Sequence, residues 1–240
     1  MKLVADIGNT SITFAIFDGE NIIKKFRLPS RISESPEGYK RELKNNIDSE
    51  IDKCIIISVV EGLEITLKKA CDELLGVNSK IFSSADALDI KLAVAHPETV
   101  GADRIANAKV VSEKYSLPAI VVDLGTATTF DIVSKEKEFF GGIILAGLDM
   151  QLRALNQFTS KLPKYNVKKS EKAIGVDTET AILSGVIRGS AAAIDGLIAQ
   201  CEEEMGEKAT VVLTGGYSEF ISEYMTRKPD FIDADLTLRV

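Results

Sequence analysis

A short phrase that occurs twice places the strongest constraint on the fold of this chain. Asp-Ile-Gly-Asn-Thr occupies positions 6–10, and Asp-Leu-Gly-Thr-Ala-Thr-Thr occupies positions 123–129, about half of the 240-residue chain further on. Each copy follows a run of apolar, strand-forming residues and leads into a second such run. A repeat at this spacing predicts a duplicated domain, with two similar loops facing each other across one cleft.

An aspartate at the end of a buried strand, followed by glycine and small polar residues, suits a phosphate-binding hairpin. Glycine lets the backbone turn tightly and approach an anion closely. Backbone N–H groups and nearby side chains can then donate hydrogen bonds to phosphate oxygens; in this chain the side chains are those of Asn9, Thr10, Thr126, Thr128 and Thr129. The aspartate could hold a hydrated magnesium ion, which uses only one or two protein carboxylates. An ordinary β-hairpin turn explains either copy alone, but the second copy favours phosphate binding.

Charge and cysteine content narrow the classes of function. A net charge of −7 argues against a nucleic-acid-binding surface, although it leaves room for a nucleotide neutralised by a metal ion. Cys54, Cys71 and Cys201 are odd in number and far apart, so neither a disulfide framework nor a zinc motif is indicated. The sequence begins with no signal-peptide pattern, and no segment approaches the roughly 20 apolar residues of a membrane span. We therefore expect a cytoplasmic protein.

Several familiar catalytic arrangements do not fit the sequence. His96 is the one histidine of the chain, and no Gly-x-Ser-x-Gly phrase supports a Ser-His-Asp triad around it. The phosphate-binding phrase of P-loop nucleotidases and the protein-kinase signatures do not occur either. An ATP-dependent enzyme built on this chain would therefore use a different architecture.

The periodicity of apolar residues predicts an α/β fold in which the second half repeats the first. In the first half it predicts strands at 3–5, 12–17, 22–27 and 54–60, with helices at 39–46 and 63–75. In the second half it predicts strands at 119–123, 129–133, 139–144 and 210–213, helices at 148–159 and 178–204, and a last helix after Gly215-Gly216. We expect two like domains, at 1–117 and 118–240.

Two further segments have both a structural and a functional interpretation. Asp103 and Arg104 follow Gly101 at the start of a helical pattern. Favourable interaction with the helix dipole and a surface ion pair would account for them, but the same pair could orient a polar substrate. Gly215 and Gly216 lie between a strand and a helix, where they allow either a tight turn or the close approach of a planar ligand.

These motifs, in this order, resemble those of the type III pantothenate kinases. That family belongs to the superfamily of actin, heat-shock chaperone ATPases and sugar kinases, whose two ribonuclease-H-like domains clasp ATP between them. The resemblance extends from about residue 3 to Leu238. It rests on the phrases at 6–10, 101–104, 123–129, 141–144, 159–163, 174–179 and 213–216.

The resemblance implies a role for each copy of the repeated phrase. The first copy would bind the ATP phosphates, and Asp6 would hold Mg²⁺ through water; its residues are Asp6, Ile7, Gly8, Asn9 and Thr10. In the second copy, Asp123 would help hold a monovalent cation, K⁺ or NH4⁺, and Thr126 and Thr128 would lie near the phosphates. ATP would be the phosphoryl donor.

The substrate pocket is implied by a different set of residues. Asp103 would contact the pantothenate hydroxyl and act as general base, while Gly101, Ala102 and Arg104 would line the same pocket. Thr178 would contact pantothenate across the interface of a homodimer, which is the usual state of the family.

The implied reaction is ATP-dependent phosphorylation of pantothenate to 4′-phosphopantothenate, the first step of coenzyme A biosynthesis. A kinase of the same superfamily that acts on another small hydroxylated substrate, and a non-catalytic regulatory homologue, are the alternatives. Ala146 stands where the family usually has proline, and Val94 where some members place an aromatic residue over the substrate, so these two positions bear on closure of the pocket.

Overall fold

A computed structural model describes residues 1–87 and 89–240, which form two compact units. The first comprises Met1–Val110 and Leu236–Val240, and the second comprises Val111–Asp235. The sequence predicts domains at 1–117 and 118–240. In the structure the first unit ends earlier, at Val110, and the last five residues of the chain belong to it. The contacts that hold them there include two hydrogen bonds: Thr237 Oγ1 donates to Asn107 Oδ1 at 2.8 Å, and Lys2 Nζ donates to the Val240 carbonyl at 2.6 Å.

The first unit is built on a five-stranded mixed sheet. Its strands are β1 (Lys2–Ile7), β2 (Ser11–Asp18), β3 (Asn21–Pro29), β4 (Lys53–Ser58) and β5 (Lys80–Ile81), in the spatial order β3-β2-β1-β4-β5. The first three strands pair antiparallel, whereas β4 and β5 run parallel to β1. The helices that begin in this unit are α1 (Pro36–Lys44), α2 (Leu63–Leu75) and α3 (Ala102–Lys114), and a short strand, β6, covers Lys91–Leu92.

The second unit repeats this topology. Its strands are β7 (Ala119–Leu124), β8 (Ala127–Val133), β9 (Glu138–Ala146), β10 (Thr210–Thr214) and β11 (Phe231–Ile232), in the order β9-β8-β7-β10-β11. Antiparallel pairing joins β7, β8 and β9, and parallel pairing joins β7, β10 and β11. The third, second, first, fourth and fifth strands therefore follow one another in both sheets. This confirms the α/β fold and the duplication predicted from the repeated phrase.

The helices of the second unit are α4 (Leu148–Gln157), α5 (Thr178–Leu183), α6 (Gly189–Met205) and α7 (Ser218–Ser222). A π-helical turn at Ser184–Arg188 joins α5 to α6 without a break, so the expected helix at 178–204 is confirmed as one continuous element. The apolar face of this element packs on the sheet together with α4, in a core that includes Phe130, Ile187 and Ile194. In the first unit, α1 and α2 cover the equivalent core around Phe14, Tyr39 and Leu67.

The start of α1 differs from the sequence prediction, which starts the helix at residue 39. The helix begins at Pro36, because proline is favourable at the first helical position, where its missing N–H costs nothing. The Ser35 side chain caps the helix by accepting from the Gly38 N–H at 3.1 Å. Serine and proline together therefore start the helix three residues earlier than predicted.

The expectation that no segment approaches a membrane span is corrected by the helix Thr178–Met205. By length and composition alone this 28-residue helix, with its long apolar stretch, could cross a membrane. Charged side chains interrupt that stretch only at Arg188 and Asp195. The finding is weak evidence, since core helices of globular proteins meet the same criteria, and this helix supplies many residues of the second core.

A buried carboxylate at the end of α6 gives a first prediction, about stability. Glu202 is 5% exposed; its carboxylate accepts from Lys208 Nζ at 2.5 Å and from the Ala209 N–H at 3.3 Å, and Arg227 lies 3.8 Å away. Burial acts to raise the pKa of this carboxyl, but the hydrogen bonds and the two cations outweigh it, so the pKa is lowered. Glu202→Ala should reduce the free energy of unfolding by about 1–3 kcal/mol, because it leaves the buried Ala209 N–H without its acceptor.

Urea denaturation followed by circular dichroism measures this loss, since the chain contains no tryptophan. The exposed neighbour Glu203 provides the control, and Glu203→Ala should change stability by less than about 0.5 kcal/mol. The contribution of Glu202 should be fully present above the pKa of an unfolded glutamate and disappear as the pH falls through its lowered folded value. Equal stability of the two variants at neutral pH would contradict the assignment.

Candidate active site

The first copy of the repeated phrase forms the hairpin between β1 and β2. Asp6 is the penultimate residue of β1, where it lies opposite Thr13 of β2 and Ile57 of β4. The Gly8 N–H donates to the Ser11 carbonyl at 3.1 Å and closes the turn. Asn9 and Thr10, at the tip, are exposed. The hairpin therefore places a carboxylate beside exposed polar side chains at the carboxyl end of the parallel pair β1 and β4, the usual edge for ligands in such sheets.

The start of α3 lies at the same edge of the first sheet. The Val59 N–H, directly after β4, donates to the Ile7 carbonyl at 3.1 Å. A Cβ atom added to Gly101 would lie 3.5 Å from Val59 Cγ1, so Gly101 lies beside the end of β4. Residues 6–10 and 101–104, far apart in sequence, are in this way brought to one edge of one unit.

The carboxylate of Asp103 is held at the first turn of α3. Its Oδ1 accepts from the Arg104 N–H at 2.8 Å, and a Cβ at Gly101 would come within 2.5 Å of the same oxygen. Because this oxygen is the end of a flexible side chain, a larger residue at 101 would make the Asp103 carboxylate shift from this position. The side chain is half-buried. Burial raises the pKa of the Asp103 carboxyl, although the N–H and the charge of Arg104 oppose the shift.

The second copy forms the equivalent hairpin between β7 and β8. Asp123 is the penultimate residue of β7, as Asp6 is of β1, and it lies opposite Thr129 of β8 and Thr214 of β10. The Gly125 N–H donates to the Ala127 carbonyl at 3.0 Å. We name residues 123–128 the Asp123 loop.

Two glycines from other segments press against the Asp123 loop. Gly147 precedes α4, and a Cβ there would lie 2.3 Å from the Thr126 carbonyl oxygen and 2.5 Å from that of Gly125. Gly215 follows β10 at φ +85°, and a Cβ there would lie 2.4 Å from Asp123 Oδ1 and 2.8 Å from the Leu124 backbone. Both positions exclude every other residue, since the atoms in the way are mostly backbone.

The other residues expected to bind ligands differ in exposure. Thr126 is exposed at the hairpin tip, whereas Thr128 is 3% exposed on the core side of β8, so Thr126 is the better placed to meet a phosphate. Thr178 is exposed at the first position of α5. Asp177 caps this helix by accepting from the Thr180 N–H at 2.8 Å, a hydrogen bond that lowers the Asp177 pKa.

The donor sets of the two hairpins suit hard cations. Within the described residues, no group of three or more histidine, cysteine, aspartate or glutamate side chains could hold a metal ion. Magnesium does not need one, since it usually binds through one or two carboxylates, water and substrate phosphates. Asp6 offers a single carboxylate on the hairpin that carries the exposed Asn9 and Thr10, and Asp123 offers one on the loop that carries the Gly125 and Thr126 carbonyl oxygens. These residues fit the groups that the sequence predicts there.

Sequence reasoning missed two features of the second hairpin. It assigned no contact to Gly147, although the residue lies directly against the Asp123 loop. It also left aside Tyr217, whose N–H donates to the Leu124 carbonyl at 3.3 Å. The Gly-Gly phrase at 215–216 and the glycine after Ala146 were the available sequence signals. Neither of them indicates which part of the backbone the glycine contacts.

Comparison with known proteins identifies the family. The family model for type III pantothenate kinases matches residues 2–200 of this chain. The chain belongs to the type III pantothenate kinase family. Its members are phosphotransferases, and both repeated hairpins and the segment at 101–104 lie within the matched range.

Individual relatives agree over nearly the whole chain. The type III pantothenate kinase of Dehalococcoides mccartyi strain BAV1 is 36% identical and aligns over 99% of this chain and 93% of its own length. That of Thermus thermophilus is also 36% identical, over 100% of this chain and 96% of its own.

Solved structures more distant in sequence share the fold. A Campylobacter jejuni protein named for the Baf family of transcriptional activators superimposes with a TM-score of 0.64 at 24% identity, over 99% of this chain and 94% of its own. The polyphosphate/ATP-glucomannokinase of Arthrobacter sp. strain KM gives 0.50 at 12% identity, over 99% and 94%. At these identities the likeness shows the fold alone, and it agrees with the two-sheet α/β architecture.

Proposed function

We propose that this chain phosphorylates pantothenate at its primary hydroxyl with ATP, in the first step of coenzyme A biosynthesis, and that Asp103 is the general base. Family membership supports the reaction, and the observation that carries the role of Asp103 is its position. Its carboxylate is held at a helix start, close against Gly101, at the edge of the sheet where the Asp6 hairpin ends.

The two hairpins would serve the nucleotide. Asp6, Gly8, Asn9 and Thr10 are proposed to bind the phosphates, with Ile7 fixing the end of β1 and Asp6 holding Mg²⁺ through water. Asp123 is proposed to hold K⁺ or NH4⁺, with Thr126 near the phosphates and Thr128 supporting the loop from its core side. Bound cations would neutralise charge on the transferring phosphoryl group, where the hairpins supply no lysine.

Asp103 would align the pantothenate hydroxyl and accept its proton late in the transfer. Phosphoryl transfer passes through a loose transition state, so positioning matters more than basicity. A carboxylate with an ordinary pKa near 4 is a weak base, and the raised pKa of Asp103 makes its carboxylate a somewhat stronger base. Arg104 would pair with the pantothenate carboxylate, and Gly101 and Ala102 would shape the pocket.

The ionisation of Asp103 gives a pH prediction. Turnover needs the ionised carboxylate, so kcat/KM should fall as the pH drops through its folded pKa, which lies above that of an ordinary aspartate. Stability should change in the opposite sense. The folded state holds this proton more tightly than the unfolded state, so protonation stabilises the fold fully below the unfolded pKa, and this contribution disappears as the pH rises through the folded one.

A pH–rate profile of kcat/KM for pantothenate measures the first effect. The difference in unfolding free energy between the wild type and Asp103→Asn, measured across the same pH range, gives the second. An acid limb at the pKa of an unperturbed aspartate, with a constant stability difference, would contradict the proposed burial of this carboxylate.

We further propose that the enzyme is a cytoplasmic homodimer and that Thr178 contacts pantothenate bound to the partner. Large apolar side chains stand exposed on the second unit, with Phe158 at 81%, Ile174 at 82% and Val176 at 88%. A groove of about 570 Å³ between α4 and the π-helical turn adds to this surface.

Light scattering should give twice the chain mass of 26.0 kDa, and Val176→Glu should reduce the measured mass to that of a single chain. A monomeric wild type would contradict the dimer.

The alternative substrates are tested by a panel. Purified protein with ATP, Mg²⁺ and K⁺ should release ADP with pantothenate and not with small sugars or other hydroxy acids. Preference for another hydroxylated acceptor would support a different kinase of the superfamily. Absence of ATP binding by calorimetry would favour a regulatory homologue.

A further inference from the structure

One hydrogen bond of the second unit joins two segments to which the proposed reaction assigns no catalytic or binding residue. Tyr217 Oη donates to Asp149 Oδ2 at 2.8 Å. Asp149 lies in the first turn of α4, shortly after Gly147, and Tyr217 lies shortly after Gly215. The bond therefore connects the segment that leaves β9 to the segment that leaves β10.

Both connected segments are also bonded to the Asp123 loop. The Gly147 N–H donates to the Thr126 carbonyl at 3.2 Å, and the Tyr217 N–H donates to the Leu124 carbonyl at 3.3 Å. The two segments and the loop thus form a closed set of three contacts, in which the Tyr217–Asp149 bond is the side-chain link.

The close approach of the two glycines makes the loop sensitive to this link. A Cβ at Gly147 or Gly215 would fall within 2.5 Å of the Asp123 loop, so neither segment has free space against it. Gln151 anchors the first segment further, since its Nε2 donates to the Ala146 carbonyl at 2.8 Å and to Ser190 Oγ at 3.0 Å. A change in the spacing of the two segments must therefore move the Asp123 carboxylate or the Thr126 carbonyl.

We propose that Tyr217 and Asp149 are positioning residues for the triphosphate of ATP, acting through the Asp123 loop. The inference rests on the proposed function, in which this loop holds the monovalent cation near the phosphates. Neither side chain is assigned a contact with pantothenate. Loss of the bond should therefore weaken binding of ATP and leave the KM for pantothenate unchanged, a separation that a general loss of stability would not produce.

The test compares variants that remove or keep the bond. Tyr217→Phe and Asp149→Ala should each raise the Kd and the KM for MgATP about tenfold, as expected for a hydrogen bond to a charged group. Asp149→Asn keeps an oxygen that can accept from the tyrosine hydroxyl but loses the charge, so it should lose clearly less affinity for MgATP than Asp149→Ala does. The double variant Tyr217→Phe/Asp149→Ala should be no weaker than either single one, since both remove the same interaction.

Tyr115→Phe is the matched control. Tyr115 also donates to an aspartate of the second unit, with its Oη 3.3 Å from Asp233 Oδ2, and Asp233 directly follows the edge strand β11. This variant should keep the wild-type Kd and KM for MgATP.

Calorimetry of MgATP binding without pantothenate separates this proposal from the function it rests on. If the wild type binds MgATP but does not phosphorylate pantothenate, the proposed function fails, and the variants still test the positioning role. Wild-type affinity in Tyr217→Phe, or an equal loss in Asp149→Asn and Asp149→Ala, would overturn the role. If Tyr217→Phe does not fold, the comparison of the two Asp149 variants decides.

Discussion

Asp103→Asn is expected to lower kcat for pantothenate phosphorylation by about 10²–10⁴-fold, the range that general-base groups contribute. Asparagine keeps an oxygen that can accept from the Arg104 N–H, which is 2.8 Å from Asp103 Oδ1, so the shape of the helix start is preserved. What the variant loses is the ability to accept the hydroxyl proton. The affinity for MgATP should not change, because that role belongs to the hairpins.

The fold of this variant should be intact or slightly more stable at neutral pH. Burial disfavours the charged form of Asp103 in the folded protein, and a neutral side chain removes that cost. Asp48→Asn provides the control, as Asp48 is an exposed aspartate of the same unit that pairs with Lys24 at 3.1 Å. Near-normal turnover of a folded Asp103→Asn variant would remove the base assignment.

Gly215→Ala should have the second largest effect, a loss of about 100-fold in kcat/KM for ATP, the scale that follows from displacing a catalytic group by about 1 Å. The added Cβ would lie 2.4 Å from Asp123 Oδ1 and 2.8 Å from the backbone of Leu124. The alanine would also be strained at φ +85°, which costs about 1–2 kcal/mol. Steady-state kinetics with varied ATP measures the loss in kcat/KM, and calorimetry of thermal unfolding measures the loss of stability.

Gly206→Ala separates strain from displacement. Gly206 follows α6 at φ +73°, and a Cβ there would meet nothing within 4 Å. It should lose a similar amount of stability to strain while keeping full activity. If Gly215→Ala were only as impaired as Gly206→Ala, the contact between Gly215 and the Asp123 loop would have no functional weight.

The repeated phrase allowed most of the architecture to be predicted, because strand and hairpin signals are local. Asp6 and Asp123 both fall at the penultimate position of a first strand, and the sheets that follow have the same order. The helix at Leu63–Leu75 has the bounds that its periodicity predicts. The short strands β5 and β11 were not predicted, since two residues carry no periodic signal.

What the sequence could not give depends on tertiary contact. No local pattern indicates that the glycines at 147 and 215 press on one loop, or that Tyr217 reaches Asp149, since these residues lie in separate segments. The π-helical turn at Ser184–Arg188 likewise has no sequence signal of its own. By itself, Asp103 is explained by the helix dipole, and only the motifs around it point to catalysis.

The most direct test of the proposed function is the release of ADP by the purified protein with ATP, Mg²⁺ and K⁺, measured with and without pantothenate. The proposed function predicts ADP release that depends on pantothenate and is matched by an equal amount of 4′-phosphopantothenate. Asp103→Asn, measured in parallel, should reduce both products together. ADP release that is the same with and without pantothenate would contradict it.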